Sequence, residues 1–256
     1  MKIVGIIPAR YEAVRLPGKV LADIAGQPMI QHVYQRASQA QSLDELLVAT
    51  DDERIAQVVR DFGGQAVMTS SEHKSGSDRI AEVAKDLECD VVVNIQGDEP
   101  LIKPAAIDAL VEPFATVPEL RMSTLATRLE DYGNHIKPSV VKVVVDKEGF
   151  ALYFSRAPIP HFRLDICPEW PDNKPRQHLQ SGLWPLWHLG LYAYTRPTLL
   201  WLSSLPQTPL EITEGLEQLR ALENGCPIKV IEVEYQGISV DTPEDLELVR
   251  RMMEEE

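Results

Sequence analysis

Short apolar runs alternate with segments of helical periodicity through the first half of the chain. The run VVVNI at 91–95 is almost continuously apolar, which is typical of a parallel strand covered on both faces. Between such runs, apolar residues recur every three or four positions, which predicts amphipathic helices. The predicted strands are residues 3–7, 46–49, 66–69 and 91–95, and the predicted helices are residues 29–40, 52–62 and 77–87. This alternation indicates βαβ units and an α/β fold with a mostly parallel sheet.

The second half follows a less regular pattern. Its predicted strands are residues 140–146, 151–156, 189–195 and 228–234, its predicted helices are residues 210–222 and 243–253, and a hairpin turn is predicted at 146–149. Residues 157–185 contain six prolines and no apolar period. A structureless loop of that length is usually functional or mobile. No repeat, low-complexity tract or linker divides the sequence, so we expect a single domain over residues 1–256.

Composition narrows the class of protein. The 256 residues include 25 Lys and Arg against 39 Asp and Glu, a formal net charge of −14. Nucleic acids and anionic membrane surfaces attract basic proteins, so we expect neither as a partner. Cys89, Cys167 and Cys226 are far apart, which argues against a disulfide framework and favours a reducing compartment. The N-terminal apolar run is too short for a signal peptide, and no segment reaches the ~20 apolar residues of a membrane span. The first expectation is a cytoplasmic enzyme.

Arg10, Arg15 and Lys19 place three positive charges on the loop after the first predicted strand. In an open α/β sheet, ligands bind where the carboxyl ends of strands meet their loops. Such a cluster suits a polyphosphate, because Arg forms forked contacts and Lys supplies a point charge. The loop matches neither a dinucleotide-binding glycine pattern nor a P-loop. The alternative is a solvated basic loop that pairs with surface carboxylates.

Two carboxylates are candidates for a magnesium site. Asp98 lies in the segment NIQGDEP at 94–100, and Asp241 ends a predicted strand before the last predicted helix. Mg²⁺ usually takes one or two carboxylates together with substrate phosphates, so Asp98 and Asp241 would form a two-carboxylate site. The alternatives are an ordinary turn around Asp98 and a plain helix cap at Thr242.

Further polar residues have both functional and ordinary interpretations. Gly76 opens a predicted helix, whose N-terminal amides favour anions, so Ser75 and Arg79 could contact a nucleotide. Other candidates are scattered through the second half. They are Arg156, His188, Tyr192, Glu217 and Gln218. From the residues alone, the ordinary interpretations prevail for this second set: an ion pair, core residues with satisfied polar tips, and a solvated helix face.

Taken together, these segments resemble the 3-deoxy-manno-octulosonate cytidylyltransferases, also called CMP-Kdo synthetases. The matching segments are residues 6–10, 15–19, 48–51, 73, 75–79, 94–100, 141–144, 151–156, 188–192, 216–220 and 240–246. The match is collinear and spans nearly the whole chain. The resemblance implies a Rossmann-like nucleotidyltransferase fold, in which helices flank the central sheet, with a smaller mixed sheet. It also implies that about residues 140–210 form an inserted region for sugar binding and dimerisation, and that the protein is a homodimer.

The resemblance further implies a reaction in which CTP and 3-deoxy-D-manno-octulosonate (Kdo) give CMP-Kdo and pyrophosphate, with Mg²⁺ as the cofactor. The product would serve lipopolysaccharide or surface polysaccharide synthesis. The implied nucleotide-binding residues are Ala9, Arg10, Arg15, Lys19, Ser75, Arg79 and Gln96, and the implied metal ligands are Asp98 and Asp241. The implied sugar-binding residues are Arg156, His188, Tyr192, Glu217 and Gln218, and the implied catalytic residues are Arg10, Lys19, Asp98 and Asp241.

One segment departs from the family pattern. Residues 162–185, with Trp170 and Trp184, look longer than the corresponding family stretch and precede the matching segment at 188–192. The sugar therefore stays open, and the alternative is the same reaction on a sialic-type or amino-substituted sugar acid. More distant alternatives are a sugar-nucleotide-dependent glycosyltransferase and a non-catalytic nucleotide sensor. For the homodimer, we expect a contact through residues 183–191.

Overall fold

A computed structural model describes residues 1–12, 16–73, 75–161, 184–235 and 237–254. The chain divides into two compact units. Unit 1 comprises Met1–Val117, Leu191–Ser204 and Gly237–Glu256, and unit 2 comprises Pro118–Gly190 and Leu205–Gln236. Among the described residues, no helix has both the length and the apolar character to cross a membrane. The single domain and the inserted region expected at 140–210 stay predictions. A division into two compact units does not show whether either unit folds independently of the other.

The strands and helices are numbered in chain order. The strands are β1 (Ile3–Ala9), β2 (Asp23–Ile24), β3 (Gln27–Pro28), β4 (Glu45–Thr50), β5 (Ala66–Met68), β6 (Val91–Asn94), β7 (Met122–Arg128), β8 (Lys142–Val145), β9 (Ala151–Ser155), β10 (Leu186–Thr195) and β11 (Lys229–Glu232). The helices are α1 (Met29–Ala37), α2 (Glu53–Asp61), α3 (Gly76–Lys85), α4 (Pro104–Val111), α5 (Pro113–Thr116), α6 (Tyr132–Ile136), α7 (Arg196–Ser204), α8 (Pro209–Glu214), α9 (Gln218–Glu223) and α10 (Pro243–Glu254), and a 3₁₀ turn spans Lys19–Leu21.

Strand β1 lies inside the unit 1 sheet. It pairs in parallel with β4 on one side and β6 on the other, so that Ile6 lies between Leu47 and Asn94. β5 extends the sheet in parallel beyond β4, and the second half of β10 runs antiparallel to β6. Nearly every side chain of β1 and β6 is buried, as expected for strands covered on both faces. The predicted α/β fold with a mostly parallel sheet is confirmed.

Polar caps fix where two helices of unit 1 begin. The Asp52 carboxylate accepts a hydrogen bond from Arg54 N at the start of α2, at 2.9 Å. Ser75 Oγ accepts one from Asp78 N at the start of α3, at 3.1 Å. These bonds satisfy amide groups that have no partner within the first helical turn. Both helices are expected from the apolar period, and both are confirmed.

Unit 2 combines parallel and antiparallel pairing. β7 and β11 are parallel, with Thr124 opposite Val230, whereas β8 and β9 form an antiparallel hairpin, with Val143 opposite Phe154. The first half of β10 is antiparallel to β8. In the hairpin turn, Gly149 has a φ of 78°, a left-handed conformation that glycine adopts without a steric penalty. The predicted hairpin is confirmed, and the strands of unit 2 pair in a mixed pattern rather than forming a second sheet of their own.

In the second half, the structure corrects one expectation and adds one strand that was not predicted. The helix predicted at 210–222 is wrong as one element, because Gly215 has a left-handed φ of 62° and ends α8 before α9 begins. Strand β7 is absent from the sequence predictions, although nearly all of its side chains are buried. Its sequence, MSTLATR, mixes hydroxyl side chains with apolar ones, and this mixture conceals the strand from a search for apolar runs.

Most leucines of the dimer contact expected at residues 183–191 are buried inside their own chain. Leu186, Leu189 and Leu191 are buried within their own chain, because they belong to β10, and their side chains are not available to a second copy. Leu183 lies outside the described residues, as does most of the segment at 162–185. The homodimer itself stays a prediction.

Candidate active site

Two glycines allow other segments to approach the carboxyl end of β1 closely. A Cβ atom on Gly97 would lie 2.9 Å from the carbonyl oxygen of Pro8, and one on Gly76 would lie 3.2 Å from Pro8 Cγ. Larger residues at these positions would press against the strand. The glycines therefore bring the loop that carries Asp98, and the start of α3, against the end of β1.

The predicted phosphate-binding loop begins at the same place. Ala9, the last residue of β1, is buried, and Arg10 after it is exposed. A hydrogen bond of 2.8 Å from Gly18 N to Tyr11 O closes the loop, and Gly18 has a left-handed φ of 70°. Arg15, the third predicted positive charge of the loop, lies outside the described residues.

Lys19 joins the two predicted metal ligands. Its Nζ donates hydrogen bonds to Asp98 Oδ2 at 2.5 Å, to Asp241 Oδ1 at 3.1 Å and to Val240 O at 3.1 Å. The strand expected to end at Asp241 is wrong, since the residues before it are irregular. One main-chain bond of 2.8 Å, from Val240 N to Asp98 O, connects the two segments instead. The structure thus brings together three predicted site residues that are far apart in sequence.

The ammonium group of Lys19 is largely enclosed, with 15% of the side chain exposed. Burial by itself would lower the pKa of Lys19, but the carboxylates of Asp98 and Asp241 more than offset that effect and raise the pKa above its ordinary value of 10.5. Lys19 is therefore charged at neutral pH. One positive charge faces two carboxylates, so the site retains negative charge that a second cation would neutralise.

The positions of Asp98 and Asp241 suit a divalent cation. Both carboxylates contact one atom, Lys19 Nζ, so both are within reach of a cation near that position. Carboxylate and carbonyl oxygens are the hard ligands that Mg²⁺ prefers. Clusters of three or more side chains of the metal-binding types are absent from the described part of the chain. Phosphate and water oxygens would therefore complete the coordination of a bound Mg²⁺.

The segment that carries Asp241 is fixed by the start of α10. Asp245 Oδ2 accepts hydrogen bonds from Asp241 N at 3.1 Å, from Thr242 N at 2.9 Å and from Thr242 Oγ1 at 2.9 Å. In return, Thr242 Oγ1 accepts a hydrogen bond from Asp245 N at 3.2 Å. The two side chains cap the helix reciprocally. The cap expected at Thr242 is confirmed, and Asp245 is added as the residue that orients the Asp241 backbone.

Arg79 connects the ends of two strands. It is buried, and its guanidinium contacts the Asp51 carboxylate at 3.1 Å and donates to Thr69 Oγ1 and Ser70 O. Asp51 follows β4, and Thr69 follows β5. A charge-assisted bond of this kind fixes the local backbone. A contact between Arg79 and a nucleotide stays a prediction.

Ser75 and Gln96 also form local hydrogen bonds. Ser75 Oγ caps α3 through its bond to Asp78 N. Gln96 Nε2 donates to Asn94 Oδ1 at 3.2 Å, and Asn94 is the buried last residue of β6. Gln96 therefore lies on the segment that leaves the carboxyl end of β6, and Ser75 lies where α3 begins. Their nucleotide contacts stay predictions.

In unit 2, main-chain carbonyl groups fix the side chain of Arg156. Its Nε donates to Glu214 O at 2.7 Å, its Nη1 to Pro138 O at 3.0 Å and its Nη2 to Gly215 O at 3.3 Å. The Glu214 carboxylate accepts bonds from Ser155 Oγ at 2.6 Å and from Arg156 N at 2.9 Å. Burial would raise the pKa of Glu214, but these hydrogen bonds lower it below its ordinary value. The guanidinium of Arg156 therefore has a defined orientation beside an ionised carboxylate.

His188 is a buried, neutral imidazole. Its Nε2 lies 3.0 Å from Thr124 Oγ1, and that hydroxyl donates its hydrogen to Leu189 O at 3.2 Å. Because Thr124 has one hydrogen to donate, the His188 Nε2 atom is assigned as the donor to it. The Phe154 ring packs edge-on against the imidazole, with 5.0 Å between the ring centroids. Burial lowers the pKa of His188 to about 3, so the ring is uncharged at neutral pH.

The remaining predicted sugar-binding residues differ in their surroundings. Gln218 is 5% exposed, and within the described residues its Nε2 has no hydrogen-bond partner. Such a buried donor costs ~1–3 kcal/mol, which a bound acceptor would recover. Glu217 is exposed at the start of α9. Tyr192, in unit 1, is half-buried, with its ring centroid 5.9 Å from that of Tyr194.

Comparisons with known proteins decide the family. The pattern of the cytidylyltransferase family matches residues 4–233. The 3-deoxy-manno-octulosonate cytidylyltransferase of Geobacter sulfurreducens is 52% identical over 97% of this chain and 98% of its own. That of Trichlorobacter lovleyi is 51% identical over the full length of both chains. This chain belongs to the 3-deoxy-manno-octulosonate cytidylyltransferase family.

Solved structures agree with this assignment. The structure of a CMP:2-keto-3-deoxy-manno-octonic acid synthetase complexed with CTP has a TM-score of 0.89 and 44% identity, over 100% of this chain and 99% of that one. A 4-diphosphocytidyl-2C-methyl-D-erythritol synthase from Anaerococcus prevotii has a TM-score of 0.60 and 14% identity, over 99% and 98% of the two chains. This second likeness shows the fold alone. The Rossmann-like nucleotidyltransferase fold is confirmed.

In this member of the 3-deoxy-manno-octulosonate cytidylyltransferase family, three residues that were not predicted hold predicted site residues in place, two of them in unit 2 and one in unit 1. Glu214 fixes Arg156, Asp245 caps α10, and Lys142 donates a hydrogen bond to the Arg156 carbonyl group. A lysine inside an apolar run is a signal that could reveal Lys142, since lysines are seldom fully buried. The spacing of Thr242 and Asp245 is a capping-box signal that could reveal Asp245. Glu214 has no comparable signal, because acidic residues are ordinary on helices.

Proposed function

We propose that the protein transfers CMP from CTP to the anomeric hydroxyl of Kdo, which gives CMP-Kdo and pyrophosphate. Family membership supports the reaction, and the CTP complex of the similar synthetase supports the nucleotide. The observation that carries the proposal is the convergence of Lys19, Asp98 and Asp241 in unit 1. That arrangement offers a positive charge to phosphate oxygens and two carboxylates to a bridging cation.

Arg10 and Lys19 are the described residues that we expect to bind the triphosphate. Arg10 is exposed where β1 ends, and Lys19 has a charged ammonium group that donates to two carboxylates and one carbonyl group of the same site. The chain has a net charge of −14, so an anionic nucleotide requires local positive charges in order to bind. Arg15, Ser75, Arg79 and Gln96 complete the proposed nucleotide-binding set.

In the proposed reaction, the anomeric hydroxyl oxygen of Kdo attacks the α-phosphorus in line with the departing pyrophosphate. A bond forms between that oxygen and phosphorus, the α–β phosphoanhydride bond breaks, and the proton of the hydroxyl group is released to the solvent. Enzymes accelerate such transfers mainly by positioning the reactants and by neutralising charge. Arg10 and Lys19 would bind the oxygens of the pyrophosphate as negative charge develops on them. The reaction requires no protein nucleophile.

We propose Mg²⁺ as the cofactor, with Asp98 and Asp241 as the residues that would hold it. When bound, Mg²⁺ withdraws charge from phosphate oxygens and so favours attack at phosphorus. The fit is supported by the two carboxylates that share one ammonium group. Asp245 would keep the Asp241 segment in place through the cap at the start of α10.

We propose Arg156 as the partner of the Kdo carboxylate. A guanidinium forms forked contacts with carboxylates, and three carbonyl groups already fix its orientation. Gln218 supports the proposal through a buried amide nitrogen that lacks a partner within the described residues. His188 is neutral and could contact a hydroxyl group rather than a carboxylate. Tyr192 and Glu217 stay in the proposed sugar-binding set.

We also propose that the protein is a cytoplasmic homodimer that serves lipopolysaccharide or surface polysaccharide synthesis. Several large apolar side chains of unit 2 are exposed, and exposed apolar groups favour protein contacts. They are Ile136, Leu152, Leu210 and Ile212. Both cysteines within the described residues are free thiols, which supports a reducing compartment.

A pyrophosphate-release assay tests the proposed reaction, with CTP, UTP and ATP each crossed against Kdo, a sialic acid and an amino-substituted Kdo. We expect release from CTP and Kdo when Mg²⁺ is present, and loss of release when a chelator removes the metal. Release with another sugar acid in place of Kdo would correct the substrate and keep the reaction class. CTP binding without release from any sugar acid would contradict the proposal.

A further inference from the structure

Lys142 is a fully buried lysine whose ammonium group is enclosed by backbone. The residue begins β8, and its side chain has 0% exposure. Its Nζ donates hydrogen bonds to Lys137 O at 2.9 Å, to Val140 O at 2.6 Å and to Arg156 O at 2.7 Å. An ammonium group has three hydrogens, so these three bonds use all of its donors.

The charge of Lys142 is compensated by carbonyl dipoles. Burial lowers the pKa of Lys142, the nearby Arg156 guanidinium lowers it further, and Glu214 offsets part of the effect. Enclosing a charge without a carboxylate in direct contact costs stability. A methionine would fill the same space without that cost. What the lysine provides in return is the fixed position of the three carbonyl groups that it binds.

Lys142 and Arg156 hold the same stretch of backbone, residues 137–140. Lys142 binds the carbonyl groups of Lys137 and Val140, whereas Arg156 Nη1 binds the carbonyl group of Pro138. Lys142 also binds the carbonyl group of Arg156 itself. Lys142 therefore holds the backbone of Arg156 directly, and it binds residues on either side of Pro138, whose carbonyl group accepts from the guanidinium.

Arg156 retains hydrogen-bond donors for a ligand. A guanidinium has five N–H groups, and three of them donate to the carbonyl groups of Pro138, Glu214 and Gly215. Within the described residues, the remaining two make no hydrogen bond, and one belongs to each terminal nitrogen. Two donors on adjacent nitrogens suit the two oxygens of a carboxylate.

We propose that Lys142 is a positioning residue for Arg156, and thereby for the carboxylate of the sugar acid. The inference rests on the proposed function of Arg156. Without Lys142, the carbonyl groups of Lys137, Val140 and Arg156 lose their common donor, and the guanidinium must be ordered when the ligand binds. The positive charge behind Arg156 is lost as well, which weakens attraction of an anion. CTP binding by the residues of unit 1 serves as an internal reference.

The kinetic test compares Lys142→Met with the wild type. The substitution keeps the length of the side chain and removes its charge and donors. We expect the KM for Kdo to rise about tenfold, whereas the KM for CTP and kcat stay within about twofold. Lys142→Gln, which keeps two amide hydrogens, replaces the methionine variant if that variant fails to fold. Val143→Ala is the matched control, because it truncates a buried neighbour on the same strand and should leave the KM for Kdo unchanged.

A second readout does not depend on turnover. Hydrogen exchange of the Arg156 Nε–H group, followed by NMR, should be about tenfold faster in either Lys142 variant and unchanged in Val143→Ala. If the wild type is inactive with Kdo, the proposed function is wrong, and the exchange rate still decides whether Lys142 positions Arg156. Unchanged exchange in a folded Lys142 variant would overturn the inference. An equal rise in KM for both substrates would show a purely structural role and would overturn it too.

Discussion

Two lysines of this protein each donate three hydrogen bonds from an enclosed ammonium group, yet their pKa values shift in opposite directions. Lys19 donates to two carboxylates and one carbonyl group, and its pKa is raised despite burial. Lys142 donates to three carbonyl groups, and burial lowers its pKa. Since the number of hydrogen bonds is equal, the charges around each ammonium group decide the direction of the shift: two carboxylates for Lys19, and neutral carbonyl groups with a nearby guanidinium for Lys142.

The difference separates two uses of an enclosed cation. The carboxylates around Lys19 can accept another cation, and Lys19 can bind another anion, so these contacts can be exchanged during a reaction. The carbonyl groups around Lys142 belong to the backbone that Lys142 holds in place. They are neutral, so they offer no negative charge that could bind another cation instead. We therefore expect a change at Lys19 to affect the chemical step, and a change at Lys142 to affect the binding of one substrate.

Lys19→Met should cause the largest loss of activity. The variant removes the positive charge proposed to face the pyrophosphate, and it leaves Asp98 and Asp241 without their shared ammonium group. Removing one group that stabilises developing charge typically lowers kcat by about 10²–10³-fold. We expect a loss in that range for pyrophosphate release from CTP and Kdo, with the fold retained because methionine fills a similar volume.

Lys85→Met is the matched control for Lys19→Met, because Lys85 is an exposed lysine at the end of α3. It should keep wild-type activity, since exposed substitutions away from a site have small effects. A Lys19→Met protein that retains more than about a tenth of the wild-type kcat would remove the distinction between the two lysines. Lys19 would then hold backbone in place, as Lys142 does.

Acid should destabilise the protein through His188. The pKa of this buried imidazole is about 3, whereas an unfolded histidine titrates near ~6.5. The unfolded chain therefore binds a proton that the folded chain excludes, and stability falls as the pH decreases from about 6.5 toward 3. Two pH units in this window correspond to ~2–3 kcal/mol. Urea denaturation at pH 6.5 and pH 4.5 measures the change in the free energy of unfolding.

His188→Gln isolates this contribution, because an amide can still donate to Thr124 Oγ1 and gains no proton in this range. The wild type should lose ~2–3 kcal/mol more than the variant between the two pH values. This difference would show that the interior of unit 2 excludes a charge on His188, in contrast to the charge on Lys142, which three carbonyl groups surround. If both proteins lose the same stability, the interior of unit 2 tolerates a buried charge in general. The three carbonyl groups around Lys142 would then not be required to bury its charge.

The two lysines also show how much of the site the sequence can predict. Lys19 and Asp98 follow apolar strands or lie on the loops that leave them, and ligands gather at that edge of a parallel sheet. Their convergence with Asp241 is confirmed. The environment of Arg156 could not be predicted in this way, because its acceptors are backbone carbonyl groups. Every residue has such a group, so sequence does not mark those that will converge.

The same contrast holds for the fold. In the first half, parallel strands covered on both faces give continuous apolar runs, and the predicted strands and helices are present. In the second half, β7 contains hydroxyl side chains, and one left-handed glycine, Gly215, divides a predicted helix into α8 and α9. Packing within unit 2 decides both features, and neither changes the local apolar period enough to be recognised.

Gly97→Ala should have the smallest effect and would test how the acceptors of Lys19 are placed. An alanine Cβ would lie 2.9 Å from the carbonyl oxygen of Pro8, and a backbone oxygen cannot rotate away. The loop must therefore shift and carry Asp98 with it, at a cost of ~1–2 kcal/mol in the free energy of unfolding.

In Gly76→Ala, the nearest atom is the ring carbon Pro8 Cγ at 3.2 Å, and alanine is the better helix former at the start of α3. We expect this control to stay within about 0.5 kcal/mol of the wild type in urea denaturation. An equal loss in both variants would mean that the approach of Gly97 to β1 is not what places Asp98. A loss confined to Gly97→Ala would mean that backbone contacts position Asp98, an acceptor of Lys19. The dependence would then be the reverse of that at Lys142, where the lysine positions the backbone carbonyl groups that accept its hydrogen bonds.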